Sequence, residues 1–157
     1  MDLEQITRDK SYQNNLIKES KITEVFVNWC ITNNYNYKVY PTNTKGNIRG
    51  CDIAVYTGEV FMFVDLKGCQ NKYDTVCLSY QRSYDGEHWF DTLNNRMTTD
   101  YVFIDEFGYM YTITKEDVIA NLTNYKKVYV SPKKAGHYQR AALIPKSELK
   151  RLQLIRQ

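Results

Sequence analysis

The chain has 157 residues, 43% of them hydrophobic, which suits one domain with its own core and excludes a disordered chain. No apolar run reaches the ~20 residues a membrane helix needs. The opening MDLEQITRDK is too polar and acidic for a secretory signal, so a cytoplasmic protein with no membrane contact is expected. The net charge of +3 is unevenly spread: residues 1–117 carry 12 Lys/Arg against 17 Asp/Glu, and residues 118–157 carry 9 Lys/Arg against Glu148 alone. A basic C-terminal segment on an acidic body points to a polyanion partner or, more plainly, to a solvated surface. Cys30, Cys51, Cys69 and Cys77 form no CxxC pair and no zinc spacing, and His88 and His137 are too few for a histidine metal centre.

From about Tyr12 to Asn33 the pattern is helical, with Ile22, Val25, Phe26, Trp29 and Cys30 on one face and Val27 and Ile31 widening it. Asn33-Asn34 supply a stop. Tyr35–Tyr40 alternates as a strand, and Thr42–Arg49 is a loop. Two strands follow, about Cys51–Tyr56 and Glu59–Lys67, around Thr57-Gly58, and another runs near Thr75–Gln81. Ser83–Asn95 has no clear period. Tyr101–Asp105 and Tyr109–Ile113 form a strand pair around Phe107-Gly108. Thr114 with Asp117 three residues on resembles a capping box and opens a helix ending near Leu122. Val128–Ser131 reads as a short strand and Ser147–Arg156 as a basic terminal helix. The order predicts a mixed α/β domain spanning residues 1–157.

The stretch GCDIAVYTGEVFMFVDLKG places Asp52, Asp65 and Lys67 in and beside the most apolar strands of the chain. With Thr57-Gly58 or Tyr56–Glu59 as the loop, Asp52 pairs with Phe63, and Asp65 and Lys67 lie on the same side of the sheet. A three-residue loop would send Asp65 to the other side. A strand apolar on both sides is central, and charges there must be paired or bind metal. Either a structural ion pair with Lys67 or a shared divalent cation meets that demand.

An Asp opening one strand (GCDIAV), Asp-x-Lys closing the next (FVDLKG) and a preceding helix bearing Glu resemble the PD-(D/E)xK nuclease superfamily over roughly residues 18–80. Cys51 stands where that motif has its Pro. The resemblance implies a restriction-endonuclease-like αβββαβ core with a central mixed sheet flanked by helices. It implies a nuclease using Mg²⁺ or Mn²⁺ to hydrolyse phosphodiester bonds, DNA ahead of RNA, with a homodimer where both strands are cut. Asp52, Asp65 and the backbone carbonyl of Leu66 would ligate the metal, and Lys67 would orient or deprotonate the attacking water. The helix would add Glu24, favoured by its distance to the next strand, or Glu19, nearer the centre of the apolar arc. Gln81 and Arg82 in SYQRSYDG, with Lys133, Lys134 and Arg140 of the basic segment, are candidates for substrate contact. His88 could touch phosphate, and turn chemistry accounts for it equally. The alternative is an inactive domain of the same fold that binds nucleic acid or a protein, as a phage-type inhibitor or regulator does.

Overall fold

The computed structural model describes residues 19–41, 50–94, 96–130 and 138–152. Helix α1 (Glu19–Thr32) buries Ile22, Phe26, Trp29 and Cys30, the face that the 3.6-residue spacing predicts. Ile31 stays exposed, so the buried arc is narrower than expected. The helix stops as Asn34 enters the left-handed region (φ 58°) and the Asn33 side chain donates to the Trp29 carbonyl at 2.8 Å. The expected first turns from Tyr12 lie outside the described residues, as does the loop Thr42–Arg49.

Strand β1 (Asn36–Val39) pairs antiparallel with β2 (Ile53–Tyr56), and β2 with β3 (Phe61–Gly68). The hairpin register is Ile53↔Val64 and Tyr56↔Phe61, two residues displaced from the expected pairing. The turn takes up all of Thr57–Val60. The Thr57 N–H donates to the Val60 carbonyl, the Thr57 hydroxyl accepts the Val60 N–H at 3.2 Å, and Gly58 supplies a φ of 98°. A two-residue displacement preserves parity, so the side chains keep their faces. Ile53, Val55 and Val64 pack under α1, and continuing the register sets Asp52 directly opposite Asp65 on the other face.

Strand β3 is central. Its far edge pairs in parallel with β6 (Asp100–Ile104), with Asp65 beside Tyr101 and Lys67 beside Phe103. The chain between them runs through β4 (Thr75–Ser83) and β5 (Phe90–Asp91). Strand β7 (Met110–Thr114) returns from β6 through a turn in which buried Asp105 accepts the Phe107 and Tyr109 N–H groups, each at 2.9 Å. Thr114 caps α2 (Lys115–Asn121) by accepting the Asp117 N–H at 3.1 Å, as its sequence predicts. Strands β8 (Lys126–Val130), β9 (Tyr138–Pro145) and β10 (Lys150–Leu152) complete the order.

Among the described residues there are two sheets. One is mixed, in the order β1-β2-β3-β6-β7-β10, and one antiparallel, in the order β5-β4-β9-β8. Val76 and Leu78 of β4 and Ala142 and Ile144 of β9 meet Tyr101, Phe103 and Ile113 in one buried cluster, so the second sheet covers the face opposite α1. The general α/β class is found. Of the expected flanking helices, α1 packs on one face of the mixed sheet and Val118 of α2 joins the buried cluster on the other, while the described parts of the β3–β6 connection add strands to a second sheet rather than a helix. The expected terminal helix Ser147–Arg156 is also corrected: Lys146–Glu148 is a 3₁₀ turn, and β10 pairs with β7. Strand β9 went unassigned because Ala141-Ala142 carries little strand preference; pairing on both edges, to β4 and β8, overrides it. No helix among the described residues is long and apolar enough to cross a membrane.

Candidate functional site

The polar face of the β2–β3 hairpin holds two carboxylates in contact. Asp52 Oδ2 accepts the Leu66 N–H at 2.7 Å, and the Asp65 carboxyl lies within hydrogen-bonding reach of Asp52. Burial, and then the neighbouring Asp65 charge, push Asp52 from the usual 3.8 up to about 6. Lys67 Nζ stands 3.5 Å from Asp65 Oδ2, with both side chains partly buried. The three charges singled out in the sequence therefore converge, and more tightly than expected, because Asp52 faces Asp65 squarely rather than diagonally. Leu66 meets this group through its N–H.

Of the two helix acids, Glu24 does not join them. Glu24 is exposed and pairs with Lys21 at 3.4 Å. The reason is the rotation of α1: its buried arc faces Val64, on the side of the sheet opposite Asp65. The Glu19 side chain lies outside the described residues. Among the described residues, no set of three or more His, Cys, Asp or Glu side chains gathers to hold a metal. Cys51 adjoins Asp52, but burial pushes its thiol up to about 11, so it stays neutral near pH 7.

Between the two sheets, beside this group, lies a cavity of about 90 Å³ lined by Asp65, Lys67, Arg82, Arg96 and Tyr101 among others. A β-bulge between Ser79 and Gln81 interrupts β4 where it passes the cavity. Of the expected substrate contacts, Arg82 reaches this cavity. Gln81 instead accepts from Arg140 Nη1 at 2.9 Å, and the Arg140 guanidinium lies 3.9 Å over the Trp89 ring. Lys133 and Lys134 lie outside the described residues. His88 is exposed and bonded to Asp85 at 2.5 Å; its backbone and ring hydrogen bonds hold the Asp85 carboxyl well below the usual range.

Arg96 and Tyr101 were not anticipated, nor was an aromatic shelf on the same face as Asp52 and Asp65. The shared register puts Lys38, Tyr56, Phe61 and Phe63 on that face, along a shallow groove of about 320 Å³. Phe61 is 66% exposed and stacks on Tyr56 with ring centroids 4.5 Å apart. Strand parity could have revealed this shelf: once Asp52 and Asp65 are assigned to one side, Tyr56, Phe61 and Phe63 follow. No family model, curated protein or solved structure matches the chain.

Proposed function

We propose that the chain is a divalent-metal-dependent nuclease hydrolysing phosphodiester bonds, DNA ahead of RNA. The observation that carries this reading is Asp52 facing Asp65 with Lys67 beside them. Two carboxylates in contact in a half-buried site repel one another, and a hard divalent cation bound by oxygen relieves that repulsion. The residues thus fit Mg²⁺ or Mn²⁺, with Asp52 and Asp65 as its protein ligands. When bound, the ion supplies a water of lowered pKa and neutralises charge on the phosphoryl oxygens. Lys67 would place an ammonium beside that charge and orient or deprotonate the attacking water. The Leu66 N–H fixes the Asp52 carboxylate, so it need not reorganise during the reaction. Lys38 and the rings of Tyr56, Phe61 and Phe63 form a path on which unpaired bases stack while the cation meets the backbone.

The test is hydrolysis of labelled DNA and RNA with Mg²⁺ or Mn²⁺, alongside Asp65→Ala. Activity in the wild type and its loss in the variant are expected; equal activity in both refutes the assignment. One observation favours a second reading, a domain that binds nucleic acid without cutting it: Glu24 stands apart and no third acid is found among the described residues. Tight DNA binding with no uptake of Mn²⁺ in calorimetry would decide for that reading.

A further inference from the structure

We propose that the cavity beside Lys67 is a pocket for a phosphate monoester, the terminal phosphate of a nucleic-acid strand. This goes further than the nuclease reading and rests on it only for the strand to which the phosphate belongs. Three observations carry the proposal. First, two donors in the cavity wall are buried and have no hydrogen-bond partner: the Tyr101 hydroxyl and Arg82 Nε. Tyr101 is only 2% exposed and lines the cavity from the start of β6, while Arg82 lines it from near the end of β4. Buried donors are normally satisfied, so an orphaned pair in one small cavity marks an acceptor that belongs there.

Second, the charges around the cavity favour an anion. Lys67, Arg82 and Arg96 bring three positive charges to its wall, and Asp65 is the single acid among the lining residues. Asp65 and Lys67 engage one another at 3.5 Å, so the two arginines set the sign of the wall. A dianion with several acceptor oxygens would satisfy the orphaned donors and suit this wall.

Third, size selects the end of a strand. The cavity is small, about 90 Å³. Leu78 and Tyr101 close the inner side, where both belong to the core shared by the two sheets. A phosphodiester continuing in both directions has no way out through that wall. A monoester enters with its ester oxygen outward, and its strand then leads away past Asp65 towards the aromatic shelf. The pocket therefore sets the distance from a strand end to the carboxylate pair.

The experiment measures binding without divalent metal, so that it is independent of cleavage. The full chain is titrated with inorganic phosphate, and with one labelled oligonucleotide bearing a 5′-phosphate, a 3′-phosphate or hydroxyls at both ends. Saturable phosphate binding is expected, with one phosphorylated strand held about ten-fold or more tighter than the hydroxyl-ended one. Tyr101→Phe and Arg82→Gln, with folding confirmed by circular dichroism, should lose most of that preference yet keep their affinity for the hydroxyl-ended strand. Inorganic phosphate binding without any end preference overturns the assignment to a strand end. No phosphate binding, or the same preference in both variants, overturns the pocket altogether. Each of these outcomes leaves the metal-dependent cleavage test standing, and failure of that test leaves the phosphate titration standing.

Discussion

Replacing Asp52 with Asn should stabilise the protein at neutral pH in the absence of metal. Burial and the facing Asp65 raise Asp52 in the folded state from 3.8 to about 6. A raised carboxyl is stabilising while protonated: that contribution is fully present below the unfolded pKa and is lost as pH climbs through the folded one. The gap of about 2 units corresponds to about 3 kcal/mol. Solvent reaching the half-buried Asp52 screens part of this, leaving about 1–2 kcal/mol. In a chain of this length that is a rise in Tm of about 3–6 °C. Asn keeps an oxygen to accept the Leu66 N–H, so the backbone anchor survives. The assay is thermal unfolding of both proteins from pH 3.5 to 8 in EDTA, read as a difference. Carboxyls pulled downward, such as Asp85 and Asp91, lose stability on acidification in both proteins alike and cancel. The difference should be near zero below pH ~4, grow between about pH 4 and 6, and then level. Adding Mn²⁺ should raise the wild-type Tm and leave Asp52→Asn unmoved. A pH-independent difference, or a variant less stable at neutral pH, would refute the picture of two repelling carboxylates.

Gly50→Ala should destabilise by about 2 kcal/mol or more, seen as a lowered urea midpoint. At φ +96° its Cβ would come 2.6 Å from Thr98 Oγ1 and 3.0 Å from the Arg96 side chain. Thr114→Ala removes the α2 cap and should cost about 1 kcal/mol, a fall in Tm of roughly 2–4 °C. Glu24→Gln should leave Mn²⁺ affinity unchanged in calorimetry and alter stability by less than about 0.5 kcal/mol, since Glu24 is exposed and its ion pair among the described residues is with exposed Lys21. Phe61→Ala should weaken single-stranded DNA binding by about 1–3 kcal/mol in a fluorescence titration, with an unchanged circular dichroism spectrum.

Much of this site was readable in the linear chain. Alternation through Val60–Lys67 marks β3 as central, and an even-numbered turn puts Asp52, Asp65 and Lys67 on one face whichever even turn forms. The two-residue displacement was not readable, because Thr57-Gly58 and Thr57–Val60 preserve the same parity; the Thr57 hydrogen bonds to Val60 decide between them. The exposure of Glu24 depended on how wide the buried arc of α1 is. That residue lies about 200° around the helix from Ile22, but only about 20° from Ile31, which the spacing placed at the edge of the arc; with Ile31 exposed, Glu24 falls on the solvent side. Distance along the chain to the next strand was the weaker guide, since it says nothing of helix rotation.

Local pattern by itself determined the elements and their faces: the buried stripe of α1, the capped start of α2, and the polar side of the β2–β3 hairpin. These depend on neighbours within a few residues, whose periodicity is written in the chain. Only the tertiary structure decided that β4 crosses to a second sheet and pairs with β9, more than fifty residues later. That pairing carries Arg82 to the space beside Lys67, where the β3–β6 register has already placed Tyr101. Such pairings are chosen by the burial of whole sheet faces against each other, a property of the assembled core that no single segment encodes.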